Sequence, residues 1–157
     1  MANTYTQIHL HVVFAVKYRA GCVPVGPAAR LYRYITGIVT ARGQKLLAIN
    51  GMPDHIHLLI GLRPEMALSD LMRDVKASSA KFVNEQNWLP GKFAWQEGFG
   101  AFSYSASQLS TVIAYIERQE EHHAKRSFLD EYRSFLKKFE VPFEDKYLFK
   151  ALEEKLN

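Results

Sequence analysis

Two histidines one residue apart, His55 and His57, lie in the stretch MPDHIHLLIGL (52–62). In a β-strand, residues i and i+2 point to the same face, about 6.6 Å apart along the backbone. Two imidazoles so placed could chelate one ion. His9 and His11 have the same spacing, and paired histidines on a half-buried strand are also ordinary structure. Spacing alone therefore chooses neither between the pairs nor between a site and a core. Further groups must converge on one pair, and QLSTVIAYIERQEEHHAKR (108–126) offers them. At 100° per residue Leu109, Val112, Ile113 and Ile116 make an apolar stripe, while Tyr115, Gln119 and His122, at i, i+4 and i+7, share a neighbouring face. A phenol, an amide and an imidazole would then stand together along a docked helix. The plainer reading is a tyrosine capping the core beside a solvated glutamine. His123 falls near the stripe and is expected to pack rather than ligate.

The elements around these residues follow from hydrophobic periodicity. YTQIHLHVVFAVKYR (5–19) alternates with a period of two, which predicts a strand. GCVPVGP then breaks the chain, and Leu31, Tyr34, Ile35 and Ile38 recur at helical spacing between Pro27 and about Arg42, with Gly43 as the stop. QKLLAING (44–51) and HIHLLIGL (55–62) read as strands paired in a hairpin. Ser69 is the expected N-cap of a second helix, DLMRDVKASSAKFVNEQ. The aromatic, Gly-interrupted KFAWQEGFGAFSYS (92–105) predicts a strand or a hairpin. The order β-α-β-β-α-β is the ferredoxin-like arrangement of an α+β protein. A third helix from Ser107 and a fourth over FLDEYRSFLKKFE (128–140) complete the pattern. One domain is expected over 1–157, with a core at about 4–125 and a helical extension at about 126–157.

Composition narrows the function. The 157 residues contain one cysteine, Cys22, so neither an internal disulfide nor a multi-cysteine zinc site is available. No apolar run reaches the length of a membrane span and no signal segment is recognised, so a cytoplasmic protein is expected. The net charge is +4, and residues 1–50 carry Lys17, Arg19, Arg30, Arg33, Arg42 and Lys45 with no acidic residue at all. Such asymmetry favours a polyanionic partner, nucleic acid above all, over a merely solvated basic surface.

At this point the residues resemble a family. MPDHIHLL is similar to the HUH motif of the small single-tyrosine transposases of the insertion sequence 200 type, and YIERQEEHH to the segment carrying their tyrosine and, four residues on, a glutamine. KYR at the end of the first strand, KASSAKFVN and WQEGFGAFSYS match in the same order, over roughly residues 4–150. The resemblance implies a metal-dependent endonuclease and strand transferase acting on single-stranded DNA. His55, His57 and Gln119 would hold Mg²⁺ or Mn²⁺, and Tyr115 would be the nucleophile. Two imidazoles and an amide oxygen leave positions open on such an ion for phosphate and water. A phosphotyrosine conserves the phosphodiester bond energy for rejoining, so no nucleotide cofactor is implied.

The resemblance further implies an imperfect DNA hairpin as substrate, a location at the nucleoid when DNA is bound, and a homodimer with joined sheets. His9, His11 and His122 would be supporting residues near the site. Contacts to DNA are expected from Lys17, Arg19, Arg30, Arg33, Arg73, Lys76 and Lys81, with Trp95, Phe99, Phe102 or Tyr104 stacking on bases unless they pack in the core. The competing reading is a catalytically silent hairpin-binding module of the same fold.

Overall fold

The computed structural model describes residues 3–18 and 22–150. Strand β1 (His9–Ala15) leads to helix α1 (Ala28–Ala41), the hairpin β2 (Lys45–Met52) and β3 (His55–Gly61), helix α2 (Leu68–Glu85) and strand β4 (Gly100–Tyr104). These form one antiparallel sheet in the order β2-β3-β1-β4, the expected ferredoxin-like topology. The reason is the period of two in β1 and β3. Leu10, Val12 and Phe14 share a face with Ile56, Leu58 and Ile60, while His11, Val13 and Ala15 pair with Leu59, His57 and His55 on the other.

Helices α1 and α2 pack together over the first face. Their buried residues Leu31, Ile35, Val39, Leu71, Met72 and Val75 belong to the same apolar cluster as Val12, Phe14, Ile56, Leu58 and Ile60. Gly43 closes α1 with φ +76°, a conformation costly for any residue that carries a Cβ. Ser69 does not cap α2: the helix already starts at Leu68, Ala67 is the capping residue, and no side chain bonds there.

The second face, which carries the histidines, is covered by the chain beyond β4. A 3-10 turn at Ala106–Gln108 precedes helix α3 (Leu109–Glu117), then the short α4 (Gln119–His123) and helix α5 (Phe128–Lys138). The single helix expected from Ser107 onward is thus interrupted at Arg118, whose φ −101° and ψ 33° are not helical. Asn50 of β2 stands at the interruption. Its Nδ2 donates to the carbonyls of Ile116 (3.0 Å) and Glu117 (3.2 Å), giving the end of α3 a partner on the sheet. Leu59, Val112 and Ile116 form the small apolar core beneath α3.

Two glycines permit close approach. A Cβ on Gly100 would lie 2.6 Å from the Tyr132 ring, so α5 sits directly on β4. A Cβ on Gly51 would lie 2.3 Å from the His55 carbonyl oxygen, where the hairpin backbones meet. Of residues 92–105 only Gly100–Tyr104 is a strand. Residues 94–96 extend beside the end of β1, with Val16 bridging Trp95, and Asn84 clamps the Phe93 backbone through both its amide groups.

Candidate active site

The sheet presents His55 and His57 side by side, both buried beneath α3, α4 and α5. His55 Nδ1 is 2.7 Å from Asp54 Oδ1 in the hairpin turn, and the Phe128 ring stacks on its imidazole at 4.2 Å. Its Nε2 is thereby aimed at Gln119 Oε1 (3.3 Å) and Glu131 Oε1 (3.6 Å). His57 Nε2 donates to the same Glu131 Oε1 at 3.0 Å. With that proton on Nε2, His57 Nδ1 accepts from His11 Nε2 at 2.7 Å.

Glu131 is the centre of the arrangement. Its carboxylate is 1% exposed, and the Tyr115 hydroxyl donates to Oε2. His123 Nε2 lies 3.2 Å from the same oxygen, within ion-pair distance but off line for a hydrogen bond. Burial opposes ionising Glu131, yet its contacts with His123 and His57 outweigh it and hold the carboxyl well below its ordinary range. Burial, with the Glu131 carboxylate behind it, pushes the Tyr115 phenol well above its ordinary value, so the hydroxyl stays protonated here. His57 is lowered to about 4, chiefly by burial, with Glu131 offsetting part of the effect. Burial also pushes His11 down, with the His57 charge next.

One chain therefore brings Tyr115, Gln119, His55 and His57 together, with His11 hydrogen-bonded behind His57. His9 does not join them: its Nδ1 pairs with Gln7 at 2.8 Å. His122 stacks on the Tyr115 ring at 4.3 Å. His123 is packed, as expected, against the His55 ring, and it also points its Nε2 at Glu131. The stop at Arg118 breaks the 100° phase that placed it on the stripe.

Glu131 and His123 are not singled out by the sequence. The available signal was a carboxylate inside an apolar stripe, since Phe128, Glu131, Tyr132 and Phe135 fall at i, i+3, i+4 and i+7 of α5 and all are buried. Beside Tyr115 a recess of about 360 Å³ is lined by Glu121, His122, Lys125 and Arg126, and these two cations lie outside the expected DNA-contacting set.

The donors suit a divalent ion. Ligand atoms of His55, His57, His123 and Glu131 all lie within 4.8 Å of one another, with the Gln119 amide oxygen adjoining, and the buried His123 Nε2 has no hydrogen-bond partner. Imidazole and carboxylate together fit Mn²⁺ better than an all-oxygen ion such as Mg²⁺.

Five of the seven basic residues expected at DNA are placed elsewhere. Arg30, Arg33, Arg73, Lys76 and Lys81 stand on α1 and α2, the layer over the opposite face. Arg30 reaches Gln86 and the Trp88 ring, and Arg73 pairs with Asp70. Lys76 donates to the Gln96 and Gly98 carbonyls at 2.8 and 2.6 Å, and burial lowers it to about 8. Its ammonium thus ties α2 to the segment before β4. Lys17 lies over the Tyr18 ring, and Arg19 is outside the described residues. Of the aromatic candidates, Phe102 is core and Trp95 packs on Phe14 and Phe93 while bonding Ser79. Phe99 and Tyr104 are half-buried, the latter against Phe139.

Among the described residues no helix is long and apolar enough to cross a membrane. The chain is 28% identical over 120 residues to the ISDra2 transposase TnpA of Deinococcus radiodurans, covering 72% of this chain and 84% of that protein. A crystal structure assigned as a transposase from Deinococcus radiodurans R1 superposes with a TM-score of 0.60 at 26% identity, over 76% of this chain and 95% of its own. The REP-associated tyrosine transposase bound to a REP hairpin shares the fold, with a TM-score of 0.59 at 15% identity over 100% and 98% of the two chains. The family profile described as "Transposase IS200 like" matches residues 4–119, a span that holds both histidine pairs, Tyr115 and Gln119, and by that match the chain belongs to the IS200-like transposase family.

Proposed function

We propose that this protein cleaves and rejoins single-stranded DNA at hairpin-flanked element ends, with Tyr115 as nucleophile and a divalent ion held by His55, His57 and Gln119. The observation that carries the reading is the convergence of a tyrosine hydroxyl and two aimed imidazole nitrogens within one buried cluster of a chain from a transposase family. Tyr115 Oη attacks phosphorus, a P–O bond to the tyrosine forms, and the P–O3′ bond of the strand breaks. The net result is a 5′-phosphotyrosine and a free 3′ hydroxyl, the tyrosyl proton being balanced by the one gained at the 3′ oxygen. A bound Mg²⁺ or Mn²⁺ would polarise the phosphate and offset charge as the bond breaks.

The chain's own residues do the rest. Asp54 and Phe128 fix the His55 ring, and His11 fixes His57. Glu131 directs the tyrosyl oxygen toward the histidines, and Lys125 and Arg126 line the recess where a phosphate could approach Tyr115. Hairpin DNA is the proposed substrate because the REP-associated relative is bound to one. The place of action is the cytoplasm, at the nucleoid. The sheet ends in β2 and β4, and a homodimer through one of these edges is the proposed assembly. Since one chain gathers the whole set, neither copy would need a group from the other.

The test is incubation with labelled single-stranded hairpin DNA and Mn²⁺, followed by denaturing electrophoresis. A protein–DNA adduct is expected, lost in Tyr115→Phe and with chelator. Cleavage without adduct would mean water is the nucleophile, and binding without cleavage would leave the silent hairpin-binding module.

A further inference from the structure

The Glu131 carboxylate is buried in contact with three imidazoles and a phenol, and among the described residues its ion pairs are with histidine alone. A buried negative charge without a permanent cation beside it is costly, because removal from water costs several kcal/mol in order of magnitude and only a partner charge recovers it. The neighbours that do face it are those that ligate metals, and their ligand atoms converge on the same small volume. The charge balance on the other side has the complementary gap. Two neutral imidazoles and a neutral amide would leave a divalent ion uncompensated among buried side chains.

We propose that Glu131 is itself a ligand of the divalent-ion site, Oε1 joining His55 and His57 while Oε2 keeps the Tyr115 hydroxyl. This inference rests on the metal-dependent reading above, and adds to it a ligand from α5, beyond the residues 4–119 that define the family match. The packing is suited to the task. Phe128 stacks on His55, and Phe135 packs edge-on to both His11 and Tyr115, so the helix that delivers the carboxylate also holds the rings on either side of it. One carboxylate then spans ion and nucleophile. Occupancy of the ion site and the position of the tyrosyl oxygen become a single geometric variable, and Gln119 is the lesser ligand.

The test measures Mn²⁺ affinity from loss of the aqueous Mn²⁺ EPR signal, with no DNA present. Glu131→Gln keeps the shape and removes the charge, and it is expected to weaken binding by at least about tenfold, more than Gln119→Ala does. A measurement that needs no variant is electron-nuclear double resonance on wild-type chain carrying ¹³C-carboxylate glutamate, where a coupling to bound Mn²⁺ is expected. Unchanged or tighter binding in Glu131→Gln, or no ¹³C coupling, overturns the proposal and makes the carboxylate a plug. If instead wild type binds no Mn²⁺ and His57→Ala is indistinguishable from it, the metal-dependent reading itself falls.

Discussion

The hydroxyl of Tyr115 on α3 donates to Oε2 of Glu131 on α5, so the helix after the family-matched segment reaches the proposed nucleophile directly. The hydrogen bond makes the C-terminal region part of the site rather than an appendage. It also defines the resting state: with its phenol pushed up and its proton on the carboxylate side, Tyr115 is oriented before it is activated. With Tyr115 as the proposed nucleophile, its activation would require a change at Glu131, which holds the hydroxyl.

The two histidines of the first-strand pair, His9 and His11, should differ in metal binding. Ligation through His57 Nε2 requires its ring proton on Nδ1, and His11 Nε2, at 2.7 Å, must then accept it. His11→Phe removes that acceptor and should cost about 10–100-fold in Mn²⁺ affinity, with part restored in His11→Gln. His9→Ala, whose residue bonds Gln7 near the strand end, should bind as wild type. Equal losses at both positions would contradict the arrangement.

Stability should fall in acid by a route traceable to His57. Its folded value of about 4 lies below the ordinary 6.5, so between these values the unfolded chain takes a proton that the native one refuses. The contribution is therefore fully present above pH 6.5 and is lost as pH falls toward 4, a difference worth roughly 3 kcal/mol. Urea unfolding at about pH 7.5 and about pH 4.5, with chelator present, should show a smaller drop in His57→Gln than in wild type. Identical drops would mean other groups carry it.

Much of this is readable in the chain before folding. The alternation of β1 and β3 fixes which face carries His55 and His57, and Tyr115 and Gln119 lie four apart on one helical surface whether or not the helix continues. The remainder depends on long-range docking. Glu131 is brought to His57 across 74 residues by the stripe of α5, and nothing in its local sequence says which sheet face that stripe will cover. The direction of His123 toward Glu131 is not legible because a periodicity argument assumes an unbroken helix, and the break at Arg118 coincides with Asn50, far away in sequence, which binds the freed carbonyls.

Asn50 should accordingly be a positioning residue for Tyr115, the proposed nucleophile. Its amide ties the C-terminal turn of α3 to β2 just past Tyr115. Asn50→Ala is expected to cost about 1 kcal/mol in stability, an ordinary loss for such bonds. Adduct formation should slow about tenfold, the loss expected when a reacting group is slightly misplaced, while hairpin affinity and Mn²⁺ affinity stay near wild type. Neither the histidines nor the basic surface move in that variant. Asn50→Asp, which cannot donate to carbonyls, should behave like the alanine variant rather than the wild type.

Among the basic residues of α2, Lys76 and Lys81 should differ in kind. Lys76 is tethered to the Gln96 and Gly98 carbonyls and lies over the Phe14 ring, where it holds the segment before β4 against the helix. Lys76→Gln should lower the unfolding midpoint and leave the salt dependence of DNA binding unchanged. Lys81 and Arg33 are exposed and have no such anchor, so either can meet a backbone phosphate. If they do, Lys81→Gln or Arg33→Gln should reduce the slope of log K against log salt by about 0.7 to 0.9, one released counterion, without loss of stability. Fluorescence anisotropy of a labelled hairpin across a salt series measures the slope. A slope changed by Lys76→Gln and untouched by the other two would reverse the assignment and put the DNA at the segment before β4.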